Sequence, residues 1–303
     1  VTKFFGIIAL VSSITSLIFI FFKQKTAYEI SIYVSTPLLV WFFIILSTFI
    51  SISLLIISIA YKSKSNCWII GLFVLLFNRL MIQWIPFIRG YLALSGDHIS
   101  HIGFIMDILK TGFISDNNFY PLTHIILSET ASILNVQVLL VGNLGTALIS
   151  IFSVLSIYVV AKYIFKTRDA QIVVFASAAV IFFSGYDLFL MPNGWSIFLL
   201  PIILFVFLKS QSLNKINWSI ILLMFLWALP FYHPLTALMM IVILTTIGFI
   251  TYFLNALNGG KINIINIKKF MPYNQILIIG TLFLVWVLSF RLFSANVVSL
   301  YEA

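Results

Sequence analysis

The sequence predicts an all-α polytopic membrane protein of about nine transmembrane helices, with a long outer loop that itself holds two interfacial helices. Three observations lead there. The mean hydropathy is +1.16, 62% of residues are hydrophobic and only 8% are charged. Apolar runs recur at the roughly 20 residues that a helix needs to cross a bilayer. Period-2 alternation is absent, and backbone in lipid must bond within its own element, so helices are expected rather than a barrel.

Taken in order, Phe4 to Phe22 reads as a first, anchored span, too long for a signal peptide and without a small-residue cleavage site. The loop from Lys23 to Pro37 follows. Its segment KQKTAYEI also reads as the translation of a sequencing-adapter oligonucleotide, so no function is assigned to residues 23–30. Spans two and three are expected at Leu38 to Ala60 and Cys67 to Phe87, the latter with Asn78 and Arg79 inside it. In the outer loop, residues 88–143, Asp97 to Thr111 has an amphipathic pattern: Ile102, Ile105, Met106 and Leu109 share one face, while Ser100, Gly103, Asp107 and Lys110 lie opposite. Gly112 stops this helix, and Pro121 starts a second one. Six more spans are expected, at Leu144 to Ile164, Ala170 to Phe183, Trp195 to Leu208, Trp218 to Leu229, Leu235 to Leu254 and Ile276 to Phe290. The chain reads as one transmembrane domain, residues 1–303, and its end just beyond a span implies a missing C-terminal part. Cys67 stands alone, so no internal disulfide forms.

The net charge of +9 comes from 17 Lys and Arg scattered singly between apolar segments, which is a topological signature and not a nucleic-acid-binding face. With the N-terminus in the cytoplasm, eleven of the 17 lie on the cytoplasmic side. The same arrangement puts all four histidines, and every acid except Asp169, on the outer side of a plasma membrane.

Candidate chemistry concentrates between Arg89 and Asn135, which hold three of the four histidines (His98, His101, His124) and four of the eight acids (Asp97, Asp107, Asp116, Glu129). In GDHISH, Asp97 and His101 are four apart and share a helix face. They suit a general base and its partner, or two ligands of a divalent metal; Asp97 also suits a helix N-cap. Arg79 lies within an apolar span, where an ionised side chain is a functional candidate or snorkels to the interface. With Arg89 and Arg291, both also readable as interfacial anchors, it has the fork that matches a lipid phosphate. Two further motifs share aromatic, Pro-Leu-Thr and His elements: YPLTH, with Tyr120 and His124, and FYHPLTAL, with His233.

The segments GDHISHIGFIMDILKTG and NFYPLTH, with FYHPLTAL in support, resemble the GT-C superfamily of membrane glycosyltransferases, including uncharacterised archaeal and other prokaryotic membrane proteins of that type. The resemblance implies a GT-C-like fold and a cell-envelope transferase that takes sugar from a polyprenyl-phosphate donor. It also implies that Asp97, as the acid of the large outer loop, contacts the acceptor or a metal. The loop follows span three here rather than span one, and a paired-acid DxD is absent. Asp97 would be the base, His101 its assistant, and Arg79, Arg89 or Arg291 would meet the departing phosphate. The alternative is a non-catalytic protein that binds or transports lipid-linked sugars or polymer.

Overall fold

The computed structural model describes residues 38–60, 67–88, 96–182, 185–213, 216–257 and 273–289. The expected first span, the loop at 23–37, Arg89, Arg291 and the chain end lie outside the described residues. Eleven helices account for all the regular structure among those described. They are α1 (Leu38–Ala60), α2 (Cys67–Ile88), α3 (Gly96–Thr111), α4 (Pro121–Leu134), α5 (Val138–Ile164), α6 (Arg168–Val180), α7 (Gly185–Leu188), α8 (Pro192–Leu213), α9 (Ile216–Tyr232), α10 (Pro234–Leu257) and α11 (Tyr273–Ser289).

Local chemistry explains most boundaries. α4 and α10 both begin on proline, whose missing N–H and fixed φ suit the first helical position. α3 ends at Gly112, with φ +74°, where the Gly112 N–H bonds to the Ile108 carbonyl at 2.8 Å. α4 ends before Asn135, which also takes a left-handed φ of 51°, a conformation Asn tolerates better than most residues.

The helices divide into two compact units. The first holds the described residues up to Ile102 together with Asn135–Gly194. Here Ile52, Leu55 and Ile59 of α1, Leu72 and Leu75 of α2, Val154 of α5, and Ile172, Phe175 and Ala176 of α6 form one buried cluster. α1 and α2 pack closely because Gly71 has no side chain: a Cβ there would meet the Ser51 carbonyl oxygen at 3.1 Å and Leu55 at 3.3 Å. Farther along the same contact, the Asn78 amide donates to Ser47 Oγ and Thr48 Oγ1, each at 2.9 Å. The second unit holds Gly103–Leu134 and the described residues from Trp195 onward. In it α9 packs against α4, α10 and α11, around buried Leu226, Leu229, Met240, Leu244 and Ile279.

Among the described residues, two stretches, Val138–Ile164 and Pro192–Gln211, are long and apolar enough to cross a membrane. Length and composition therefore do not support nine spans. The clearest departure is at the expected span Ala170 to Phe183. The helix there is α6, which has 13 residues and a length of about 20 Å against a hydrocarbon core of about 30 Å.

The Gly71 contact makes a prediction. Gly71→Val should cost about 1–3 kcal/mol through overpacking and lower the melting temperature in detergent. Gly280→Ala, at a site with nothing within 4 Å of an added Cβ, should leave it unchanged or raise it.

Candidate functional site

The first unit is built around a buried ion pair. Arg79 on α2 and Asp187 on α7 are 2% and 0% exposed, and Nη2 meets Oδ1 at 2.5 Å. Ser150 of α5 closes the arrangement: its Oγ accepts from Arg79 Nε at 2.9 Å and donates to Asp187 Oδ1 at 2.6 Å. Arg79 Nη1 reaches the carbonyls of Ile181 at 2.6 Å, Ala179 at 3.3 Å and Ala178 at 3.4 Å. The last two belong to the end of α6, where helix geometry leaves carbonyls without partners, so Arg79 also serves as a cationic C-cap. Its guanidinium sits 4.4 Å from the centroid of the Phe182 ring. One turn along α2, Gln83 Nε2 donates to the main-chain oxygen of Asp187 at 3.1 Å.

This network fixes the segment after Asp187, and that segment holds the start of α3. His98, fully buried, accepts the Leu190 N–H at Nδ1 over 2.8 Å. A neutral imidazole that accepts at Nδ1 carries its proton on Nε2; that atom is buried and has no hydrogen-bond partner. Burial lowers the His98 pKa to about 4. Gly194 lets the chain at the start of α8 approach the same segment: a Cβ there would lie 2.9 Å from that of Tyr186.

Asp97, the adjacent residue, is exposed and makes no hydrogen bond or ion pair with a described residue. Because α3 starts at Gly96, Asp97 lies within the first turn and is not the residue ahead of it. His101, one turn later, is 9% exposed.

In the second unit the two Pro-Leu-Thr motifs meet. Tyr120 and His233, which immediately precede α4 and α10, stack with ring centroids 4.7 Å apart and planes 14° from parallel. His124, fully buried, shares a 2.7 Å hydrogen bond between Nδ1 and Asn118 Oδ1. That same oxygen accepts the Tyr120 N–H at 3.2 Å. Phe104 packs against the His124 ring at 5.4 Å. Thr236 and Ser196, both buried, are hydrogen-bonded at 2.7 Å. Thr123 Oγ1 and His233 Nδ1 are buried without partners, and burial lowers the His233 pKa to about 4.

The sequence candidates therefore fall into three groups. Asp97 and His101 share the start of α3, and Tyr120, His124 and His233 belong to one cluster. Arg79 is committed to Asp187, Ser150 and carbonyls rather than presented to a lipid. Sequence reasoning gave no individual role to Asp187, His98 or Thr123. Asp187 had one signal, the GYD that interrupts two apolar runs. Among the described residues no three His, Cys, Asp or Glu side chains converge as a metal site would need.

Compared with family models, curated proteins and solved structures, the chain matches none.

Two predictions follow from the first unit. Removing one member of a buried ion pair strands the other, at a cost of about 3–5 kcal/mol. Arg79→Met should accordingly lower the unfolding midpoint in detergent more than Arg79→Met combined with Asp187→Leu. For His98 the folded pKa, about 4, is below the ordinary 6.5, so between these values the unfolded chain binds more protons. Its contribution to stability is then complete above pH 6.5, declines as pH falls toward 4 and changes no further below that. His98→Asn, whose amide oxygen can still accept the Leu190 N–H, should flatten a plot of melting temperature against pH in this window.

Proposed function

We propose that the protein is an integral membrane glycosyltransferase that moves a sugar from a polyprenyl-phosphate donor to an acceptor outside the cytoplasm. The observation that carries this reading is Asp97: an exposed carboxylate in the first turn of a helix whose next residue is tied to a buried scaffold. A base works best when its backbone is held and its carboxylate is accessible. The resemblance to GT-C enzymes implies that the same residue contacts the acceptor or a metal.

In the reaction, an acceptor hydroxyl oxygen attacks the anomeric carbon as its proton passes to Asp97. The bond from that carbon to the phosphate oxygen breaks, and the lipid phosphate leaves with the electron pair. A single displacement inverts the anomeric configuration. His101, one turn away, is assigned as the assistant of Asp97 by its i, i+4 spacing.

Membrane embedding is supported by the apolar side chains that the helices turn outward. Phe73 is 68% exposed, Phe249 67% and Leu277 70%, far from what a water-facing helix presents. We read the other apolar helices as spans or part-spans, the N-terminus as cytoplasmic and Asp97 as facing out. The interruption between α6 and α7 favours the rival carrier reading, because broken helices line the binding sites of transporters. Its polar groups, however, are engaged with one another through Arg79, Asp187 and Ser150, which favours a structural break.

The test is sugar transfer by purified protein from a panel of polyprenyl-phosphate sugars. Asp97→Asn should reduce turnover by about 10²- to 10⁴-fold while donor binding persists. Turnover by the variant equal to wild type would remove Asp97 as the base, and donor binding without turnover in either protein would favour the carrier.

A further inference from the structure

Residues 112–120 join α3 to α4 and lie outside any helix. Gly112 turns the chain, and two large apolar side chains follow it: Phe113, 77% exposed, and Ile114, also exposed. The turn is held by its own polar groups. The Phe113 N–H bonds to Thr111 Oγ1 at 3.2 Å, and the Asn118 N–H bonds to the Ser115 carbonyl at 2.9 Å. Met106 and Leu109, in the last turns of α3, are exposed as well, whereas Ile105 is fully buried. Among these apolar side chains stand the exposed polar ones of Asp107, Lys110, Asp116 and Asn117.

This mixture suits a bilayer interface. Water does not favour a Phe so exposed. The hydrocarbon core does not accept backbone outside a helix or charged side chains. The charges of Asp107, Lys110 and Asp116 nearly cancel, so apolar insertion and not attraction to anionic lipid would hold the segment. Its far end is tied to rings of the kind that mark such an interface. Tyr120 stacks on His233, and Phe231, just ahead of His233, packs on Trp286 at 4.5 Å and Trp227 at 5.1 Å. Trp227 is exposed, and Phe231 and Trp286 belong to the last turns of α9 and α11. Trp and Tyr collect where apolar helices leave a bilayer.

We propose that Phe113 and Ile114, with Met106 and Leu109 beside them, insert into the headgroup zone of the bilayer and anchor the connection between α3 and α4 to lipid. The anchor rests on the membrane reading above and is independent of any role for Asp97.

The experiment places a nitroxide on the full chain in phosphatidylcholine nanodiscs. In a Cys67→Ser background, one cysteine at a time is introduced by Phe113→Cys, Met106→Cys, Asp107→Cys or Phe249→Cys. Phe249, exposed in the second half of α10, reports the hydrocarbon core. Collision with oxygen, which concentrates in lipid, is compared with collision with a nickel chelate that stays in water. The oxygen-to-nickel ratio should be lowest at Asp107, highest at Phe249 and intermediate at Phe113 and Met106, as for side chains held in the interface. A ratio at Phe113 equal to that at Asp107 puts the tip in water, and one equal to that at Phe249 puts it in the core. Shielding of the Phe113 label from both reagents puts it against protein. Each of these three results overturns the proposal. A Phe249 label in water overturns the membrane reading and the proposal with it, so the two failures are distinguishable. If the labelled chains do not fold, the wild type decides. A phosphatidylcholine with a photoreactive headgroup must attach within residues 106–114, and absence of attachment there overturns the anchor.

Discussion

The first unit depends on the contact between Arg79 and Asp187. A guanidinium and a carboxylate that are 2% and 0% exposed must each be offset by groups supplied by the fold, because desolvating two charges costs more than their attraction alone returns. The fold supplies Ser150 between them and three carbonyls on the far side of the guanidinium. In satisfying one side chain, α2, α5, α6 and α7 are all fixed. The consequence extends three residues beyond Asp187, where the Leu190 N–H holds His98 and with it the first turn of α3. Asp97 is exposed, but its backbone inherits the order of a buried charge network.

The same contact explains what could and could not be read from sequence. The start of α1 at Leu38, the stop of α3 at Gly112 and the starts of α4 at Pro121 and of α10 near Leu235 were all legible, because propensity, glycine and proline act within a few residues. The end of α6 was not. Ile181, Phe182 and Phe183 continue the apolar run past Val180, so hydropathy alone carries the helix to residue 183. What accompanies the break is a guanidinium about a hundred residues earlier, and no local pattern encodes it. Arg79 stands out as a charge inside an apolar run, but its partner Asp187 is 108 residues away, beyond the reach of any local pattern.

The start of α3 shows the limit of face-based reasoning. Adjacent helical residues differ by about 100° in direction, so Asp97 faces out while His98 is completely buried. Pairing Asp97 with His101 by their i, i+4 spacing considers one side of the turn. It says nothing of the opposite side, where His98 does the anchoring. Burial of His98 follows from Leu190, 92 residues away, and is invisible to any helical projection.

The second unit orders its helix starts without charged side chains, in a chain of which only 8% of residues are charged. An arginine placed at membrane depth costs roughly 2.5–3.5 kcal/mol on insertion scales, and the one arginine described within an apolar helix is already committed. Helix starts need no charged residue, because their first amides are donors wherever a helix begins. The usual arrangement gives those amides to a Ser, Thr, Asp or Asn cap. Tyr120 and His233 occupy that place in α4 and α10, and their rings are stacked on each other. The ring stack, and the Asn118 carboxamide oxygen that accepts the Tyr120 N–H and bonds to His124, order these helix starts with neutral groups alone.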